Sequence, residues 1–191
     1  MTVSRLAHLT AVPAPRRGAG TVRASVGTPS QTKENRMVNK PKSIGTAVET
    51  AVVRVARQHG FPNADRLTLT GNKDRGDIGL CPGVVVETKG GRAAETASDN
   101  LIQAWLVETE TERLNAGAAQ AFLVTKRAGV GASNAHRWHA WLRLGWLPGE
   151  TDPRTAHMVV RMSLGNMLTV LRASGWGDPL AEPVEVEAVA S

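Results

Sequence analysis

The residues of this chain whose types and spacing suit chemistry lie mainly between positions 75 and 89. Asp77 is followed, after nine residues, by the run Glu87-Thr88-Lys89. Alternate side chains of a strand point to the same side, so Glu87 and Lys89 would share one face, with their Cα atoms about 7 Å apart. Carboxylates grouped with a lysine are typical of sites that bind a divalent cation and act on a phosphodiester.

The turn residues Cys81-Pro82-Gly83 place Asp77 opposite Glu87. If they form a three-residue hairpin loop, Leu80 pairs with Val84, and the same register brings the two acids level. Like charges that face each other across two strands destabilise the pair, and a cation between them removes the repulsion. Oxygen ligands with open water positions suit Mg²⁺, with Mn²⁺ as an alternative. We therefore expect a magnesium site at Asp77 and Glu87.

A helix predicted before this segment supplies a third carboxylate. Apolar residues recur at helical spacing from Ser43, a candidate N-cap, to Gly60. Glu49 lies at the edge of the apolar stripe, where it can face a neighbouring sheet; the alternative is a solvated acid at the helix edge. The predicted metal ligands are Asp77, Glu87 and Glu49, and the predicted catalytic set adds Lys89, which would orient a water or stabilise developing charge.

Periodicity and turn residues also predict the elements that position these side chains. Their order is α-β-β-β-α-β followed by β-α, an α/β pattern. After the first helix we expect the strands and helices Arg66–Leu69, Asp77–Leu80, Val84–Lys89, Ser98–Ala116, Ala119–Thr125, His157–Met162 and Leu164–Ala173. Residues 127–155 show a looser pattern.

In this order the motifs resemble the PD-(D/E)xK nuclease superfamily, whose acid pair and lysine lie on the second and third strands. Within that group the chain is similar to Holliday junction resolvases of the archaeal type and their phage relatives. The likeness covers roughly residues 42–126. It is carried by Gly45-x-x-x-Glu49, His59-Gly60-Phe61, Arg66, Thr70-Gly71, Gly76-Asp77-Ile78 and Gly83-Val-Val-Val-Glu87-Thr-Lys89.

This resemblance implies a restriction-endonuclease-like core, with a mixed central sheet flanked by helices. It further implies a Mg²⁺-dependent endonuclease that hydrolyses DNA phosphodiesters, above all in branched DNA, and that acts in recombination or repair as a homodimer with one site for each of two cuts. Thr70 stands where those resolvases often have serine, and Gly76 replaces the proline before the first acid. Candidate DNA-binding side chains are Arg66, Thr70, Arg75, Gln103 and Lys126.

Two other functions fit the same residues. One is a general repair or restriction-type DNA nuclease of the same fold. The other is a catalytically silent DNA-binding module, against which the presence of Glu49, Asp77, Glu87 and Lys89 together argues.

The charge is unevenly distributed, which bears on partners and domain limits. Residues 1–42 hold eight Lys and Arg against one acid, and residues 178–191 hold four acids and no base. A basic segment suits a polyanionic partner such as DNA. We expect a disordered basic arm over residues 1–40, a nuclease domain over 41–175 and an acidic flexible tail over 176–191, with Met37 as an alternative start.

The remaining features limit other classes of function. A lone cysteine, Cys81, excludes an internal disulfide framework. No apolar run reaches the ~18 residues that span a bilayer, so we expect a cytoplasmic protein of a bacterial or phage-infected cell, without a membrane partner. His136 and His139 lack further ligands nearby, and we expect them to be surface or packing residues. For Trp138, Trp141 and Trp146 we expect packing rather than stacking on bases.

Overall fold

A computed structural model of the chain describes residues 40–68, 74–147, 149 and 152–181, with side chains from residue 43 onward. These residues belong to one unit, Met37–Ser191. The predicted arm up to residue 39 with its alternative start at Met37, the motif Thr70-Gly71, and the acidic tail from residue 182 lie outside the described residues. Lys40, at the end of the predicted arm, already belongs to the first helix.

A mixed sheet of six strands lies at the centre of the described structure. The strands follow one another across the sheet in chain order. Its third and fourth strands are parallel, and every other neighbouring pair is antiparallel. The strands are β1 (Asp65–Arg66), β2 (Ile78–Cys81), β3 (Val84–Lys89), β4 (Gln120–Thr125), β5 (His139–Arg143) and β6 (Val159–Ser163).

Helices cover both faces of this sheet, so the fold is α/β. The parallel pair β3 and β4 needs a crossover connection, which a short and a long helix provide. The main core lies between the sheet and the first and last helices, and smaller clusters lie between the sheet and the long crossover helix. The helices are α1 (Lys40–Gln58), α2 (Gly91–Glu95), α3 (Asp99–Ala116) and α4 (Leu164–Ala173).

Most predicted helix limits are confirmed. The Ser98 side chain caps α3 by accepting a hydrogen bond from the Leu101 N–H, and Gly117 ends that helix in the left-handed conformation. The predicted start of α1 is wrong, because the helix begins at Lys40 and Ser43 lies inside it. Pro41 does not prevent this, since a first-turn N–H has no partner within the helix. None of the helices in the described ranges is both long enough and apolar enough to cross a membrane.

The predicted limits agree with the structure for some strands and not for others. β3 has the predicted limits, whereas β1 contains only two residues, Asp65 and Arg66. β5 was missed within the looser stretch, although Ala140 and Leu142 are buried and alternate with less buried neighbours. Its alternation is short and includes a partly exposed tryptophan, Trp141, so the period of two was not distinctive.

The chain packs onto this core beyond the last helix. Trp176 contacts the main core, and the Asp178 N–H donates to the Gly60 carbonyl over 2.7 Å. Arg172 also donates from Nε to the Asp178 carbonyl. The first residues of the predicted tail are therefore held against the end of α1.

A close approach of α1 to the end of β3 fixes the distance between these two elements. Gly90 follows the last residue of β3, and a Cβ added there would lie 2.6 Å from Val48 Cγ2 and 3.3 Å from Ile44 Cγ2. Its φ of −119° is open to any residue, so the requirement for glycine is one of space.

We predict that Gly90→Ala destabilises the protein by about 1–3 kcal/mol, because the added methyl overpacks the contact between α1 and β3. Urea unfolding followed by circular dichroism measures the change. Gly131→Ala is the matched control, because Gly131 has a negative φ of −69° and no described atom within 4 Å of the added Cβ. Equal stability of the two variants would contradict the steric explanation.

Candidate active site

The hairpin of β2 and β3 brings Asp77 and Glu87 level with each other. Ile78 pairs with Val86, and the Asp77 N–H donates to the Val86 carbonyl over 3.1 Å. The pairing of Ile78 with Val86 is the predicted register, and Asp77, which directly precedes Ile78, is close enough to Glu87 to raise the pKa of Glu87.

The predicted turn of the same hairpin is wrong. Cys81, not Leu80, pairs with Val84, and the register shifts by one residue between Gly79 and Cys81. A bulge within β2 absorbs the extra residue, so the turn contains only Pro82 and Gly83. Ile78 and Val86 keep their predicted register because the bulge lies between them and the turn.

The carboxylate of Asp77 is held by a neighbour that the sequence analysis did not assign to the site. Its Oδ2 accepts hydrogen bonds from the Thr88 N–H over 2.9 Å and from Thr88 Oγ1 over 2.7 Å. Thr88 is buried, so it fixes one oxygen of Asp77 where β2 begins.

Glu87 and Lys89 share the face of β3 that α3 covers. Lys89 Nζ lies 2.9 Å from Glu87 Oε1 and 3.0 Å from Glu108 Oε2. The same ammonium lies 5.9 Å from the ring centroid of Trp105, a distance at which a cation is attracted to the face of the ring. Lys89 is therefore held between its own strand and α3.

A further carboxylate, Glu112 of α3, reaches this cluster and was missed by the sequence analysis. Only 7% of Glu112 is exposed, and its Oε2 lies 3.7 Å from the position that a Cβ on Gly76, the residue before Asp77, would occupy. Its Oε2 has no hydrogen-bond partner within the part of the chain that the structure describes. Glu112 follows the buried Thr109 by three residues on α3, so helical spacing places the two on one face of the helix.

The site is electrostatically unbalanced. Burial, Asp77 and Glu112 together raise the pKa of Glu87 from its ordinary value of 4.5 to about 9, and the opposing effect of Lys89 does not offset them. Burial also raises the pKa of Glu112. For Lys89, burial alone would lower the pKa, but Glu87 and Glu108 outweigh it and the pKa is raised. Carboxyl groups are in excess, and a cation would relieve that excess.

Glu49 lies on the other side of the site. It projects from α1, and its Oε2 accepts a hydrogen bond from Arg66 Nε. A cleft of about 410 Å³ is lined by Glu49 and Asp77, together with Asp74 and other residues of the loop before β2. Asp77 thus lies between Glu49 and the group formed by Glu87 and Glu112.

The side chains present suit a divalent cation, although they are not arranged as a complete set of ligands. In the described ranges, no three His, Cys, Asp or Glu side chains are arranged so that they could hold a metal ion. The donor set nevertheless consists of carboxylate oxygens, which Mg²⁺ and Mn²⁺ prefer, and one buried oxygen of Glu112 lacks a partner among the described residues. Asp77 and Glu87 would hold the ion, with Glu49 at the adjoining cleft.

The predicted DNA-binding side chains lie in different environments. Arg66 is exposed and paired with Glu49, whereas Lys126 is half-buried and paired with Glu95. Arg75 and Gln103 are exposed, the latter on α3. Thr70 lies outside the described residues.

The tryptophans of the looser stretch are involved in packing, as predicted, but to different degrees. Trp138 is 1% exposed, and its indole N–H donates to the Val130 carbonyl over 2.9 Å. Trp141 is half-buried, and its indole N–H donates to Thr125 Oγ1 over 2.8 Å. His139 packs edge-on against the Trp141 ring, and Trp146 lies against the apolar clusters on both sheet faces.

Comparison of the chain with family models, with curated proteins and with solved structures finds no match. Function must therefore be inferred from the side chains and their geometry.

We predict that the stability of the metal-free protein falls as pH rises, because folded Glu87 keeps its proton up to about pH 9. Unfolded Glu87 releases its proton near its ordinary pKa, so the stabilisation is fully present below that value and is lost as pH rises through about 9. In EDTA, the melting temperature of the wild type should decline relative to that of Glu87→Gln between about pH 5 and about pH 9 by at least about 2–4 °C, or roughly 1 kcal/mol.

Comparing variants at each pH isolates Glu87 from groups that titrate in both proteins. Glu110→Gln is the control, because Glu110 pairs with Arg113 elsewhere on α3, and its melting curve should follow that of the wild type. A constant difference between the wild type and Glu87→Gln over the whole pH range would contradict a buried, protonated Glu87.

Proposed function

We propose that this chain is a metal-dependent endonuclease that hydrolyses DNA phosphodiesters. The observation that carries the proposal is the set of Asp77, Glu87 and Lys89 on one hairpin, within a cluster where carboxyl groups outnumber cations. A purely structural site would gain stability by replacing such a buried acid pair with apolar residues. Repulsion between neighbouring acids is instead expected at a site that binds a cation.

The order of the elements supports the more specific fold in this proposal. A helix, three antiparallel strands, a crossover that contains two helices, and a parallel strand follow each other. Asp77 directly precedes the second strand, and Glu87 lies on the third. That order is the one expected for a restriction-endonuclease-like core, as inferred from the resemblance of its motifs to PD-(D/E)xK nucleases.

Each side chain of the site has a distinct role in this mechanism. Asp77 and Glu87 would hold the cation, and Thr88 fixes the direction of the Asp77 carboxylate. A bound Mg²⁺ or Mn²⁺ would supply a Lewis acid that polarises the phosphodiester and lowers the pKa of a water molecule. Lys89 would donate from its ammonium to the attacking water or to the phosphate oxygen that gains charge. Glu49 accepts from water at the adjoining cleft.

The substrate class follows from charge and from the same resemblance. Arg66 borders the cleft of Glu49 and Asp77, and the basic composition of residues 1–42 suits a polyanion. We favour branched DNA, cut by a homodimer of Holliday junction resolvase type in the cytoplasm of a bacterial or phage-infected cell. A repair or restriction-type nuclease acting on ordinary DNA, and a silent DNA-binding module, are the alternatives that experiment must separate.

The first prediction from this proposal is that cutting of plasmid DNA requires Mg²⁺ or Mn²⁺. Asp77→Asn and Glu87→Gln should each lower the cleavage rate by about 100-fold or more, because each removes a charge that stabilises the transition state through the cation. Glu110→Gln should cut at the wild-type rate. Nicking in EDTA that survives Asp77→Asn would exclude this site as the nuclease centre, and DNA binding without any cutting would favour the silent module.

The second prediction concerns substrate shape and assembly. The protein should bind a four-way junction more tightly than duplex of equal length and should make paired nicks on opposing strands, because a two-fold dimer matches the junction's symmetry. Lys89→Ala should keep the junction preference and lose the nicks. Light scattering and cleavage of junction, flap and duplex provide the measurements. A monomer that cuts all three substrates equally would favour the general nuclease.

A further inference from the structure

Glu112 has the features of a ligand whose partner is not a protein group. The residue is buried, with only 7% of its surface exposed. Its Oε2 lies 3.7 Å from the position that a Cβ on Gly76 would occupy, so this oxygen points toward the loop that leads into Asp77. No donor among the described residues reaches Oε2.

An unpaired carboxyl oxygen in such a place is costly. A buried acceptor without a hydrogen bond costs about 1–3 kcal/mol, and more when it is charged. Arg113, the next residue, donates instead to Glu110, and Lys89 donates to Glu87 and Glu108. These two cations are therefore paired with other acids.

The charges around Glu112 indicate which kind of partner its carboxyl group lacks. Asp77, Glu87 and Glu112 are acidic, and Lys89, the cation beside them, is shared between Glu87 and Glu108. Carboxyl groups therefore outnumber cations here, and a divalent cation would offset the excess of negative charge. Glu49 differs in this respect, because Arg66 already neutralises it.

We infer that Glu112 is a third carboxylate ligand of the divalent cation held by Asp77 and Glu87, which it approaches from α3. This inference rests on the proposed function, which supplies the cation, and it adds a ligand that the acid pair and the lysine motif do not contain. Glu112 Oε2 already lies beside Gly76, the residue before Asp77, so rotation of side chains is the movement needed to turn it toward the ion.

A purely structural role for Glu112 makes a different prediction. If Glu112 only shares a proton with Glu87, a glutamine at this position can replace it, and the affinity for a metal ion stays the same. If Glu112 is a ligand, the loss of its charge weakens binding of the ion directly, even though the metal-free protein is as stable as before or more stable.

The test is calorimetric titration of the full-length, EDTA-stripped protein with Mn²⁺ alone. We expect Glu112→Gln to weaken Mn²⁺ binding by about 10-fold or more, the scale seen when groups that support a metal site are removed. Glu110→Gln, two residues away on the same helix and paired with Arg113, should bind Mn²⁺ like the wild type. The rise in melting temperature on adding Mn²⁺ should also shrink in Glu112→Gln alone.

The possible results separate this inference from the proposed function. If the wild type binds Mn²⁺ and Asp77→Asn abolishes binding, but Glu112→Gln binds normally, the role of Glu112 is overturned and the nuclease proposal stands. If the wild type binds no Mn²⁺, both fail. Should Glu112→Gln not fold, Glu112→Met fills a similar space without the carboxylate, and unchanged Mn²⁺ affinity in that variant would equally overturn the inference.

Discussion

Repulsion among buried carboxyl groups is the constraint on which the arrangement of this site depends. Asp77, Glu87 and Glu112 meet where the β2–β3 hairpin lies against α3, and Lys89 is the cation that contacts Glu87 there. A chain folds around such a group only if other contacts stabilise the surrounding elements. Most of those contacts lie on the opposite face of the same strand.

The two faces of β3 carry different side chains, apolar on one face and charged on the other. Val84 and Val86 point into the main apolar core beneath α1 and α4, where their burial stabilises the strand. Glu87 and Lys89 point to the face that α3 covers. Because alternate residues of a strand face opposite sides, six consecutive residues can contribute both to the core and to a charged site.

The parallel pairing of β3 with β4 determines where α3 lies. A parallel connection must cross over one face of the sheet, and α3 is the long helix of that crossover. Glu108 and Glu112 are four residues apart, so they face the same way. Glu108 contacts Lys89, and Glu112 lies near Glu87. The crossover that joins β3 to β4 therefore also adds two acids to the site.

The sequence by itself determined the local parts of this protein. The limits of β3, the capping of α3 by Ser98 and Gly117, and the register that pairs Ile78 with Val86 all depend on residues close together in the chain. Alternation, caps and turn residues report such short-range preferences.

Only the tertiary structure decided which distant residues join the acid pair. Nothing in the spacing of α3 indicates that Glu112 reaches Glu87, or that Glu49 is neutralised by Arg66 on the other side. The bulge in β2 and the insertion of β5 between β4 and β6 were also missed. These features depend on how the helices pack on the sheet and on how the strands associate across it, and contacts of that kind leave no periodic signal in the sequence.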